Sequence, residues 1–140
     1  MVKNKQTKIP TKTKILDAAL TLFNEHGCGP ISTNHIAKEC GISAGNLYFH
    51  YANKSEIIRA LYEKMLTDWD EMQAKIPMDG DVMSYIKGLL ALAANHYYEY
   101  RFIHRELVTL CMDDEALDAR NKEVLAKRKK ENMMILSMLV

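Results

Sequence analysis

The chain has 140 residues, 48% of them apolar and 26% charged, with a net charge of +1; that is enough for one core, or one small domain and part of a second, and too apolar for a disordered segment. No apolar run reaches the ~18 residues of a membrane-spanning helix, and the basic opening MVKNKQTKIPTKTK leads into no signal-peptide core. Cys28, Cys40 and Cys111 have no metal or redox spacing, so a cytoplasmic protein without cofactor or metal is expected.

Charge is unevenly spread. Residues 1–55 hold seven lysines against three acidic residues, while residues 56–140 hold 12 basic against 15 acidic residues. A basic front and an acidic back suggest that only the front meets phosphate.

Proline and glycine punctuate long stretches of 3.6-residue periodicity, which predicts an all-helical chain. A first helix is expected over 11–26, with Ile15, Leu16, Ala19, Leu20 and Phe23 as its apolar stripe and Gly27 as its stop. A second begins after Ser32 or Thr33, either of which can cap it, and ends at Gly41 in a left-handed turn. Ile42 is expected to plug the core, and Ser43 to cap a third helix that turns Leu47 and Tyr51 inward. Asn53 with Glu56 three positions on predicts a capping box at the start of a long fourth helix. Its buried side would carry Ile57, Ile58, Leu61, Tyr62, Met65 and Trp69. The chain breaks over 77–81. Three more helices are expected: one striped by Ile86, Leu89, Leu90 and Ala93, one over about 100–112, and one from 115 onward capped by Asp113 or Asp114. The closing run MMILSMLV is apolar, and a complete domain seldom stops on an uncovered apolar helix, so a second domain cut short at residue 140 is expected.

The second and third helices make a helix-turn-helix, in which the later helix lies in a DNA major groove and reads bases from its N-terminal half. Its exposed early positions are Ala44, Gly45 and Asn46. Gly45 lets the backbone come close to a groove wall, and Asn46 has the donor and acceptor that adenine needs. Tyr48 and Phe49 offer flat faces for thymine methyls or sugar edges, and the Tyr48 hydroxyl and His50 reach toward phosphate. Lys54 stands at a helix N-terminus, where the dipole also favours an anion, and Thr33 can donate to phosphate in the same way. Residues 48–51 are four consecutive aromatic side chains, so one face cannot bury them all, and an exposed aromatic run calls for a partner. The lysines at 3, 5, 8, 12 and 14 form a basic arm that tracks the DNA backbone or is disordered in the free protein.

Residues 12–62 resemble the DNA-binding domain of the TetR family of bacterial transcription regulators. The resemblance rests on Ile15-Leu16-Asp17-Ala18-Ala19, Leu22-Phe23, Gly27, Ile36-Ala37-Lys38, Cys40-Gly41-Ile42-Ser43, Gly45-Asn46-Leu47-Tyr48, His50-Tyr51 and Lys54. Asn46 stands where the family usually has Thr. The resemblance implies phosphate contacts for Thr33, Tyr48, His50 and Lys54 and base-facing roles for Ala44, Gly45, Asn46 and Phe49. Residues 98–125 are similar, more weakly, to the regulatory domain of one TetR subgroup. Implied partners are double-stranded DNA, a second copy of the chain in a homodimer, and a small-molecule effector of unknown identity. The organisation expected is a flexible basic arm over 1–10, the helix-turn-helix domain over 11–55 and an incomplete helical regulatory domain over 56–140. The function expected is a ligand-responsive regulator, foremost a repressor, on a near-palindromic operator; the alternative is a helical dimerisation or adaptor protein that has lost specific DNA binding. Effector candidates lie between Trp69 and Arg105, where Met and aromatic residues recur, but helical core is the stronger reading for the Met and Tyr side chains, an ion-pair partner for Arg101 and Arg105, and a satisfied helix residue for His104. An enzyme is not expected, because no metal-protease, phosphate-loop or nucleophile-elbow pattern occurs.

Overall fold

A computed structural model of the chain describes residues 9–77 and 81–139. Among the described residues there are seven helices and no strand: α1 (Thr11–His26), α2 (Thr33–Cys40), α3 (Ala44–His50), α4 (Lys54–Gln73), α5 (Val82–Glu99), α6 (Arg101–Asp113) and α7 (Glu115–Leu139). No helix among them is long and apolar enough to cross a membrane. Positions 3, 5 and 8 of the expected arm, and positions 78–80 of the break before α5, lie outside the described residues. The chain divides into two compact units, one ending at Arg105 and the other starting at Glu106.

In the first unit α1 packs on α2 and α4, α2 on α3, and α4 on α5. Ile15, Ala19 and Phe23 of α1, Ile36 of α2, Leu47 of α3, and Ile57 and Leu61 of α4 are fully buried. Burial of each large side chain among these is worth about 1.5–3 kcal/mol relative to exposure. The turns are fixed locally. Ser32 caps α2; Gly41 ends it at φ 67°, ψ 35°, the left-handed region that costs other residues about 1–2 kcal/mol. A Cβ at Gly41 would meet nothing within 4 Å, so backbone conformation alone demands glycine there. Ile42, the expected plug, is only half-buried.

At the start of α4, Asn53 Oδ1 accepts from the Glu56 amide at 2.9 Å, while Glu56 Oε2 accepts from the Ala52 amide at 2.8 Å. The reciprocal box is thus displaced by one residue from its expected Asn53 donor. Trp69 is half-buried and rests edge-on against His96, centroids 5.4 Å apart. The expected stripe of α5 is not buried: Ile86 and Leu90 are exposed, and His96 is the buried side chain of that helix. Its Nε2 lies 2.9 Å from the Met65 carbonyl.

Tyr51 follows α3 in extended conformation and is buried, with Lys12 Nζ 5.3 Å from its ring centroid. Its hydroxyl has no hydrogen-bond partner among the described residues, and burial pushes the phenol pKa up. An unsatisfied buried hydroxyl carries its desolvation cost uncompensated. Tyr51→Phe is therefore expected to leave stability unchanged or to raise it by up to ~1 kcal/mol, read as an upward shift of the urea midpoint at constant slope. A clear loss would show that the hydroxyl has a partner.

In the second unit Asp114 Oδ1 accepts from the amides of Ala116 and Leu117 at 3.1 Å each, which starts α7. Lys122–Asp118 and Arg128–Glu131 pairs line the rest of that helix. Met133 and Met134, which begin the apolar closing run, are exposed. The three cysteines are free thiols, and burial raises the pKa of Cys40 and Cys111.

Candidate nucleic-acid interface

The short helix α3 is held by one face. Ser43 Oγ accepts from the Asn46 amide at 3.1 Å and starts the helix; Leu47 is its buried residue. The opposite face is open: Ala44, Gly45, Asn46, Tyr48 and Phe49 are all exposed, Phe49 at 85%. His50, half-buried, meets the Phe49 ring edge-on at 5.2 Å. A Cβ on Gly45 would touch nothing within 4 Å. Neither packing nor φ requires glycine there, so what Gly45 provides is clear surface toward whatever approaches α3.

The remaining candidates gather where the N-termini of α2 and α4 come together beside the end of α3. Thr33 Oγ1 and Tyr48 Oη are hydrogen-bonded at 2.9 Å, tying the first turn of α2 to α3. Lys54 Nζ donates to the carbonyls of Cys28 at 2.7 Å and Ile31 at 2.9 Å. These three side chains, with Pro30, Ile31, Ser32 and Asn53, line one open cleft. Two helix N-termini, two hydroxyls and an ammonium make it an electropositive, donor-rich hollow. Seven of the eight expected residues therefore fall on two adjoining surfaces, an exposed helix face and a donor cleft at its edge, while His50 is half-buried at the end of α3 and does not line the cleft.

Three features were not legible beforehand. His35 closes the box at the start of α2: its Nδ1 accepts from the Ser32 amide at 3.1 Å, while Ser32 Oγ accepts from the His35 amide at 3.3 Å. The position is where a Glu or Gln ordinarily signals such a box. The Thr33–Tyr48 bond spans 15 residues and crosses two elements, beyond any local pattern. Lys54 has a structural task, fastening the α1–α2 turn to α4, that its place at a helix start does not suggest.

Residues 15–61, which contain all eight candidates, match the profile of bacterial regulatory proteins of the tetR family. The HTH-type transcriptional regulator UidR of Escherichia coli K12 is 33% identical over 138 residues, covering 96% of this chain and 66% of that protein. IcaR of Staphylococcus epidermidis, the negative transcriptional regulator of the biofilm operon icaADBC, is 44% identical over 52 residues, 37% of this chain and 28% of its own length. Among solved structures, a TetR-family transcriptional regulator from Marinobacter aquaeolei VT8 superposes with a TM-score of 0.77 at 35% identity, over 85% of this chain and 59% of that one. The chain thus spans about two thirds of the length of its long curated match and less of the solved one.

Proposed function

Because the chain belongs to the TetR family of bacterial regulatory proteins, we propose that it is a cytoplasmic transcription regulator that reads duplex DNA through α3. In this reading it binds a near-palindromic operator as a homodimer and acts foremost as a repressor released by a small-molecule effector. The observation that carries the reading is the exposed face of α3 beside the donor cleft. Phe49 at 85% and Tyr48 at 50% exposure are large aromatics that the fold leaves uncovered, and Gly45 clears the space between them and the cap. Ala44, Gly45, Asn46 and Phe49 face bases; Thr33, Tyr48, His50 and Lys54 hold phosphates, which sets register before any base is read. That a relative over the DNA-binding region is a negative regulator supports repression.

The effector would act on α4, whose first turn carries Lys54 and whose middle meets α5. A full swing from bound to free requires the effector to prefer the released state by ~5.5 kcal/mol.

The test is fluorescence anisotropy on the duplex upstream of the gene itself, at about 150 mM salt with excess nonspecific DNA, since nonspecific binding fades as salt rises. Saturable binding with two chains per site supports the reading; binding that salt removes entirely would overturn specific recognition of that duplex. Tyr48→Ala is expected to keep the helical circular dichroism, because Tyr48 is half-exposed, and to weaken binding by about tenfold or more, the worth of a charge-assisted phosphate contact. A large loss of helicity would make Tyr48 a core residue instead.

A further inference from the structure

Asn24 is a polar residue in the last turns of α1, 9% exposed, among apolar neighbours that are fully buried. Its Nδ2 donates to the Glu99 carbonyl at 2.7 Å, and its Oδ1 accepts from the Phe102 amide at 3.1 Å. Its own carbonyl accepts from Arg105 Nη2 at 3.1 Å. The two backbone groups bound by the side chain flank the break between α5 and α6. They are a carbonyl at the end of one helix and an amide at the start of the next, both left over where helical ladders stop. Asn24 supplies the missing donor and the missing acceptor together. Phe23 beside it packs against Phe102 with ring centroids 5.2 Å apart.

The other side of the same break is gripped by α4. The fully buried Tyr100 donates its hydroxyl to Asp68 Oδ2, which also takes Lys64 Nζ at 2.6 Å. The α5–α6 junction is thereby wedged between α1 and α4, the two helices on which the helix-turn-helix is mounted. Asn24 is the polar contact on the α1 side, and side-chain amides of this kind fix one geometry where apolar packing tolerates sliding.

We propose that Asn24 is a positioning residue that sets the orientation of α1–α3 relative to the α5–α6 junction. A displacement of that junction then reaches the reading helix through α1 as well as through α4. The consequence for DNA rests on the function proposed above; the orientation itself does not.

The experiment uses the full chain with Cys28, Cys40 and Cys111 replaced by alanine. Nitroxides are placed at Lys38→Cys in α2 and Leu90→Cys in α5, both exposed positions in the first unit. Pulsed dipolar spectroscopy then gives the distance distribution in the free protein. Asn24→Ala is expected to shift it or to broaden it at least about twofold, since a second orientation becomes populated. Asn24→Asp, which keeps the acceptor for Phe102 and loses the donor to Glu99, is expected to fall between, and it keeps the test sound should the alanine variant fail to fold. A residue that merely stabilises would lower the melting temperature of both variants and leave the distribution unchanged, which would overturn the proposal. Because no DNA is present, the distances decide the matter even if the anisotropy experiment finds no specific duplex. Where it finds one, Asn24→Ala is expected to lose about tenfold in specific affinity while nonspecific binding stays the same, the mark of a misoriented reader.

Discussion

Leu47→Ala is expected to destabilise the first unit by about 2–5 kcal/mol and to abolish specific DNA binding without removing any group that faces DNA. Helix α3 has seven residues, far short of the ~12–15 at which an isolated helix becomes even marginal in water. It exists because Leu47 and, just past its end, Tyr51 are buried while Ser43 caps its start. Deleting the Leu47 side chain removes the main apolar anchor and leaves a cavity, against a total stability of about two or three times that loss. Urea unfolding should show the lowered midpoint, and anisotropy at low temperature, where the variant is still folded, should show the lost binding. Comparison with Tyr48→Ala separates the two ways of losing function: one variant keeps α3 and loses a contact, the other loses α3. Wild-type binding by Leu47→Ala would mean that α3 is not the reader.

Local interactions leave a mark in the sequence and long-range ones do not. The ends of α1 follow from local chemistry, and so do the turn at Gly41 with φ 67° and the Asp114 cap of α7, because the residues that cause them are adjacent in sequence. Periodicity found the inward face of α4, where Ile57, Ile58, Leu61, Tyr62 and Met65 are buried as expected. It failed for α5, whose Ile86 and Leu90 are exposed. An apolar stripe says which face prefers cover and nothing of what supplies it. Asn24 is the complementary case. Its hydrogen bonds reach 75 and 78 residues along the chain, and a lone asparagine beside an apolar stripe has no local pattern to mark it. Tyr100 with Asp68 and Lys64 is the same case at a separation of 32–36 residues. The eight candidates for DNA contact could be put forward together because a helix-turn-helix is compact in sequence, so cap, turn and exposed face all lie within 33–54. Their mutual bonds, Thr33 to Tyr48 and Lys54 to the α1–α2 turn, were not.

Lys54→Ala should reveal a cation with two tasks. The ammonium donates to Cys28 and Ile31 carbonyls at 2.7 and 2.9 Å, which accounts for two of its three hydrogens and none of its charge. Charged donors to backbone carbonyls are worth more than neutral ones, and Lys54 is half-buried, so its removal is expected to cost ~1–2 kcal/mol of stability. Lys54 also lines the donor cleft, and its positive charge is not neutralised by two carbonyl acceptors. The slope of log affinity against log salt is accordingly expected to become shallower by about one unit, the signature of one lost phosphate contact, on specific and nonspecific DNA alike. Loosening the α1–α2 turn also frees the first turn of α2, where Thr33 holds Tyr48. The loss of specific affinity should therefore exceed the loss on nonspecific DNA. A normal salt slope together with lowered stability would assign Lys54 to the turn alone and take it off the phosphate. A shallower slope with unchanged stability would mean that the two carbonyl bonds add nothing beyond what water supplies to the turn once the lysine is gone.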